Sequence, residues 1–268
     1  MTHFHAFILG IIQGLTEFIP VSSTAHLLIG QYLFNLPSGD LMFAFLVIIQ
    51  LGTVLSLVVL FWEDLRGLVR AFFAPPFSSR ENRLGWYIVL ATLPALLFGY
   101  LLRNAVEALF QQPLQEAAIR LLVAALVLAL AEYLGKRTRT LEEMTWHDAL
   151  FIGLMQVFAV FPGASRSGVT IAGGMLRGFD RPSAARFAFL MAIPVMLAAG
   201  IYQTMDIIGI PGLPTFLPIL GVGFATAAIV GYFAARWLLE YLAHDSLKVF
   251  ALYCTAIGLL SLLVTILF

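Results

Sequence analysis

Gln13 and Glu17 stand four residues apart, so on a helix they share one face. Pro20 ends that helix, and Ser22, Ser23, Thr24 and His26 follow at once. A second polar set, Ser165, Arg166, Ser167 and Thr170, lies in the run Phe-Pro-Gly-Ala-Ser-Arg-Ser-Gly-Val-Thr from Phe161 to Thr170. Arginine offers a planar fork suited to phosphate oxygens. A carboxylate with an amide oxygen, Glu17 with Gln13, suits a hard divalent cation such as Mg²⁺ or Ca²⁺. Serine or histidine beside a carboxylate supplies a nucleophile and its base. The free amides at a helix start favour an anion. Brought together, the two sets form a phosphoryl-transfer kit. Each residue also has a plainer use. Glu17 can simply pair with Arg166, the serines can cap helices, and His26 can be a hydrogen-bonded core histidine. Gln156 reads as structural, Gln50 and Thr53 as interhelical hydrogen-bonding groups, and Glu132, Glu142 and Glu143 as interface charges.

The elements that must position these residues are membrane elements. The chain has 268 residues, 61% hydrophobic and 11% charged, against about 25% charged in soluble domains. Net charge is zero, and no basic block points to nucleic acid. The one cysteine, Cys254, excludes an intrachain disulfide, and no Cys/His metal spacing occurs. The amino terminus lacks the basic region of a secretory signal, so the first apolar segment is expected to be retained.

Each polar set sits between two apolar pieces, Phe4–Phe18 with Ala25–Leu36, and Ala149–Val160 with Val169–Leu176. Each piece is shorter than the roughly 20 residues that cross a bilayer. Such pairs predict re-entrant helical hairpins, whose irregular tips must be enclosed by protein or line a wet cavity. Six full spans are expected over Met42–Trp62, Gly85–Leu102, Ala117–Leu134, Ala184–Met205, Phe216–Leu239 and Leu247–Phe268. Glu63–Arg83 reads as an interfacial loop, Arg103–Glu116 as polar, and Lys136–Glu143 as a hydrophilic hinge. The fold class is therefore an all-α integral membrane protein, a single membrane domain over residues 1–268.

Phe43-Ala-Phe-Leu recurs as Phe187-Ala-Phe-Leu, and at a shift of 143 residues Gly10, Gln13 and Ser22 meet Gly153, Gln156 and Ser165. Three spans per half make the halves, about 1–135 and 145–268, an inverted-topology repeat. The broken helices of such repeats meet near the midplane. Every basic residue except Arg103, Arg120 and Arg166 falls on one side, which the positive-inside rule makes cytoplasmic, with both termini outside. Inverted repeats with broken helices also suit a secondary transporter or lipid-carrier flippase. The gathered carboxylate, guanidinium, serines and imidazole favour an enzyme instead.

Two segments carry a resemblance: Gln13-Gly-Leu-Thr-Glu17-Phe-Ile-Pro20-Val-Ser-Ser-Thr24-Ala-His26, and Pro162-Gly-Ala-Ser165-Arg166-Ser167-Gly-Val-Thr170. They resemble the two signature segments of the bacitracin-resistance family of undecaprenyl-diphosphate phosphatases, and chain length and span order agree along the whole sequence. The resemblance implies a bacterial inner-membrane hydrolase with its site open to the periplasm. It would convert undecaprenyl diphosphate to the monophosphate, recycling the lipid carrier for peptidoglycan synthesis and conferring bacitracin resistance. It implies dependence on Mg²⁺ or Ca²⁺ and allows a homodimer.

By position, Glu17 and Gln13 would hold the metal or activate the nucleophile, and Arg166 would clamp the diphosphate. Ser22, Ser23, Thr24, Ser165, Ser167 and Thr170 would bind phosphate oxygens, and Ser23, His26 or water would be the nucleophile. The first family motif has Glu or Gln at its opening position. Gln13 here leaves one carboxylate fewer, so substrate oxygens must complete any metal shell. The Lys-x6-Arg-Pro and Ser-Arg-x5-His motifs of type 2 phosphatidic-acid phosphatases do not occur.

Overall fold

The computed structural model describes residues 1–102, 113–159 and 165–267. The tip residues Val160, Phe161, Pro162, Gly163 and Ala164, and most of the expected polar stretch Arg103–Glu116, lie outside the described residues. Among the described residues the regular elements are helical. They are α1 (His3–Phe18), α2 (Ser23–Leu33), α3 (Asp40–Leu60), α4 (Trp62–Phe72), α5 (Arg80–Leu101), α6 (Pro113–Leu134), α7 (Trp146–Phe158), α8 (Arg166–Leu176), α9 (Arg181–Ile207), α10 (Leu213–His244) and α11 (Lys248–Leu267). A 3₁₀ turn covers Leu141–Glu143.

Six of these helices, α3, α5, α6, α9, α10 and α11, are long and apolar enough to cross a membrane. The chain is an all-α, multi-pass integral membrane protein. The remaining pairs α1/α2 and α7/α8 are short. At 1.5 Å per residue α1 is about 24 Å long and α2 and α8 about 16 Å, against a hydrocarbon core of about 30 Å.

Apolar side chains gain little by leaving lipid for another helix, so close backbone approach holds such helices together. Gly14 of α1 lies against α10, where an added Cβ would come 2.7 Å from Val230 Cβ and 3.0 Å from the Ala227 carbonyl. Gly153 of α7 lies against α5, where a Cβ would come 2.5 Å from the Ala91 carbonyl. The first short pair thus packs on a helix of the second half, and the second pair on a helix of the first. Ser56 of α3 donates to the Ala228 carbonyl of α10 at 2.6 Å, adding a polar tie where neither group has water. Phe18, at the end of α1, meets Phe189 of α9 edge-on at 5.4 Å, closing the core beneath the polar tips.

Two expectations change. Residues 62–72 are not loop but the helix α4, because Leu65, Leu68, Val69 and Phe72 fall on one stripe while Glu63 and Asp64 open the helix and Arg70 closes it. The segment after α6 is not a hinge. Arg139 pairs with Phe179 in an isolated parallel bridge, its amide donating to the Gly178 carbonyl at 2.9 Å and its carbonyl accepting from Asp180 at 2.8 Å.

The same segment is fastened by buried charge. Asp148, fully buried, accepts from Arg139 Nη2 and from Arg177 Nε, each at 2.7 Å, and from the Thr145 hydroxyl at 2.8 Å. Burial alone would push its carboxyl up, but the hydrogen bonds from Arg139, Arg177 and Thr145 outweigh it and hold the group well below the usual carboxylate range. Glu132, expected as an interface charge, is also buried. It takes Arg137, Arg181 and the Leu247 amide as partners, joining α6 to α9 and the start of α11.

Candidate functional site

The first tip is built by proline and a strained serine. Ile19, ahead of Pro20, leaves the helical region with φ −61° and ψ 130°. The Val21 amide then donates to the Ile19 carbonyl at 2.7 Å in a three-residue turn. Ser22 sits at φ 66°, a left-handed conformation that costs a non-glycine residue about 1–3 kcal/mol. The expected cap by Ser22 is absent: its side chain makes no capping hydrogen bond, because the left-handed backbone replaces the extended conformation a cap requires. What the conformation does place is the Ser22 carbonyl, which accepts from the His26 amide at 3.3 Å and from His26 Nδ1 at 2.9 Å.

Glu17 is the centre of the cluster. Its Oε2 accepts from Gln13 Nε2 at 3.0 Å and from the Ser23 hydroxyl at 2.6 Å. Its Oε1 lies 3.4 Å from Arg166 Nη2 across the gap between α1 and α8. The Glu17 side chain is 6% exposed and that of Arg166 26%. The carboxylate therefore meets an amide, a hydroxyl and a guanidinium, and the 2.6 Å hydroxyl contact falls in the range of charge-assisted bonds. A small cavity of about 10 Å³ adjoins them, lined on its polar side by Glu17, Arg166, Ser167 and Thr170 and on its apolar side mainly by α9. It is room for about one water.

The second tip does what the first does not. Ser165 caps α8 by accepting from the Gly168 amide at 3.2 Å, and its hydroxyl lies 3.1 Å from that of Ser167. Thr170 donates back to the Arg166 carbonyl at 2.7 Å, a bond that leaves its oxygen able to accept. Ser165, Ser167 and Thr170 are buried, so their hydroxyls face protein and cavity.

The structure thus brings together Gln13, Glu17, Ser23, Arg166, Ser167 and Thr170, with Ser165 adjoining and His26 one turn along α2. Thr24 points the other way: it is exposed and makes no side-chain hydrogen bond among the described residues. Gln156, on α7, is 2% exposed, and its side-chain amide has no hydrogen-bond partner among the described residues. Thr53 is buried and donates to the Gln50 carbonyl within α3, a local use. Sequence reasoning missed Tyr253 of α11. Its hydroxyl lies 2.8 Å from His26 Nε2, and the two rings stack at 5.7 Å between centroids and 7° between planes. A tyrosine in an apolar span carries no sequence signal that separates it from an interfacial anchor.

No group of three or more His, Cys, Asp or Glu converges among the described residues. The oxygens that fit a hard cation are those of Glu17 and the Gln13 amide oxygen, since Gln13 contacts Glu17 through its nitrogen. One carboxylate and one amide oxygen suit an ion that takes its other ligands from water and phosphate, as Mg²⁺ does.

A family model described as "Bacitracin resistance protein BacA" matches residues 6–260. A protein of Thermomicrobium roseum is 40% identical over 276 residues, covering 98% of this chain and 98% of its own. One of Anaeromyxobacter sp. is 43% identical over 260 residues, covering 94% of this chain and 88% of its own. One of Chlorobium phaeobacteroides is 41% identical over 273 residues, covering 96% and 95%. All three carry the name undecaprenyl-diphosphatase. With its two polar tips falling inside the matched residues and its relatives aligned almost end to end, the chain belongs to the bacitracin resistance protein BacA family.

Proposed function

We propose that the Glu17–Arg166 cluster is the active centre of a membrane phosphatase. The enzyme hydrolyses undecaprenyl diphosphate to undecaprenyl phosphate and inorganic phosphate, recycling the lipid carrier for cell-wall synthesis. The observation that carries this is the meeting of a carboxylate from one short pair with a guanidinium from the other, 3.4 Å apart, in a chain whose relatives bear that enzyme's name. The transporter or flippase reading gains no support from those relatives.

Arg166 takes non-bridging phosphate oxygens, with the hydroxyls of Ser165, Ser167 and Thr170 around it. Ser22, buried at the first tip, completes the set, whereas Thr24 faces away from the cluster and is left out of it. Ser23 is the nucleophile. Its hydroxyl hydrogen is already directed at the Glu17 carboxylate, whereas the His26 ring meets the Ser22 carbonyl and the Tyr253 hydroxyl and has no carboxylate beside it to raise its nucleophilicity. The Ser23 proton passes to Glu17 as Oγ bonds to the terminal phosphorus and the bond to the bridging oxygen breaks. Undecaprenyl phosphate departs as an anion and needs no acid. Water then attacks phosphoserine and gives its proton to His26 Nε2. The P–Oγ bond breaks, Glu17 returns its proton to Ser23, and the imidazolium gives its proton up to the departing inorganic phosphate, which resets both groups. Mg²⁺ or Ca²⁺, held by Glu17 and the Gln13 oxygen, would neutralise charge on the diphosphate.

The halves, about 1–135 and 145–268, are assigned as inverted repeats. Support comes from the reciprocal packing of α1 on α10 and α7 on α5, with Gly10 and Gly153 both at such contacts. The enzyme is placed in the bacterial inner membrane, with both termini and the site's mouth periplasmic. Supporting that orientation, loop and helix-end residues assigned to the cytoplasm meet one another: Arg80 with Glu142 at 2.7 Å, and Arg186 with Asp64 at 2.6 Å. Nothing in the cluster requires a second copy, although a homodimer is compatible with it.

The test is phosphate release from a C55 diphosphate by purified protein, with and without chelator. Release is expected to stop on chelation and to return with Mg²⁺ or Ca²⁺. Steady release in chelator would remove the metal from the reaction, and no release under any condition would defeat the assignment.

A further inference from the structure

We propose that Tyr253, on the last helix, is a positioning residue that fixes the tautomer and aim of the His26 imidazole. This rests on His26 taking part in turnover as assigned above. The argument begins with the strained tip. The Ser22 carbonyl can only accept, so His26 Nδ1, 2.9 Å away, must carry a proton. In the neutral ring Nε2 is then the bare nitrogen, the form a base needs. Nε2 lies 2.8 Å from the Tyr253 oxygen, so the phenol hydroxyl donates to it.

The two ring planes lie within 7° of each other, so the phenol approaches Nε2 near the imidazole plane, along its lone pair, and the two hydrogen bonds fix the ring's rotation. A histidine held at both nitrogens has one orientation. Serine strain at φ 66° supplies one anchor and α11 supplies the other.

The same hydroxyl serves both charge states of the ring. It donates to neutral Nε2, and once Nε2 has taken a proton it can accept from Nε2–H, since a phenol oxygen does both. The Cys254 thiol, beside Tyr253, approaches the Pro20 carbonyl at 3.9 Å, so α11 touches the tip at two successive residues.

The decisive variant is Tyr253→Phe, which keeps the ring and removes only the hydroxyl. Phosphate release by purified protein is expected to fall about tenfold in kcat, a modest part of the 10²–10⁴ a proton-transfer group supplies. KM should stay level or fall, and the thermal midpoint should hold. On a His26→Asn background the same change should cost nothing further, because the hydroxyl acts only through the imidazole. Wild-type kcat for Tyr253→Phe, a loss confined to KM, or a loss that persists undiminished on the His26→Asn background would each overturn the proposal. Wild-type turnover by His26→Asn itself would instead overturn the role given to His26.

Discussion

Glu17→Gln tests the centre of the cluster with the least change of shape. Glutamine has the same length and branching, so an oxygen can still accept from Ser23 and from Gln13, which donate to Glu17 at 2.6 and 3.0 Å. Two things are lost: the base for the Ser23 proton and the negative charge facing Arg166. Loss of a positioned base lowers turnover by about 10²–10⁴, which raises the barrier by about 2.7–5.4 kcal/mol. Loss of the charge removes an attraction of about 5 kcal/mol, taking 3.4 Å and an effective dielectric of about 20. Most of that is offset by the desolvation Glu17 no longer suffers. The variant should therefore fold, with a thermal midpoint within a few degrees of wild type, and be nearly inactive. Phosphate release on a C55 diphosphate in detergent, read beside thermal unfolding, separates the two effects. Turnover within tenfold of wild type would refute the base. A loss of activity matched by loss of folded protein would show that Glu17 is only a strut between the hairpins.

Arg166→Ala should lower turnover about 10³-fold or more, as loss of an arginine on a transferring phosphoryl group does, and Arg166→Lys should recover only part of it because the fork is gone; the same release assay checks both. Gly153→Val places a Cβ 2.5 Å from the Ala91 carbonyl, a backbone atom that cannot swing away. It should destabilise the protein by about 1–3 kcal/mol, seen as a lowered thermal midpoint. Asp148→Asn removes the charge that two arginines share; because those arginines are 27% and 39% exposed and water screens them, the loss should be about 1–3 kcal/mol. Because the Asp148 carboxyl is held below its ordinary value in the folded protein, its contribution is complete above about pH 4. It drains away as pH falls further, so wild type should lose thermal stability below that pH and Asp148→Asn should lose less.

The cluster's membership was legible because the bilayer makes polar residues conspicuous. Glu17 and Arg166 stand out in apolar sequence, and a charge kept at such depth demands a partner. Proline and spacing then placed Gln13, Glu17 and Ser23 near one tip. What could not be read were the contacts that depend on distant backbone. Ser22 looks like any N-cap serine until its left-handed φ is known, and Tyr253 looks like any span tyrosine until α11 is seen against α2. Asp148 has the sequence signature of an ordinary capping box with Thr145, which it also forms. Nothing local says that Arg139 and Arg177 converge on the same carboxylate. That convergence explains how the second tip is aimed. Asp148 opens α7 and Arg177 closes α8, so the ion pair locks the base of the hairpin whose other end carries Arg166. Among the described residues the first hairpin shows no such lock, and it is pressed onto α10 along Gly10 and Gly14. One tip is fixed by charge at its root and the other by backbone contact along its length. The 3.4 Å approach of Arg166 to Glu17 is set by both, which is why substitutions as remote as Asp148→Asn and Gly153→Val bear on the geometry of the centre.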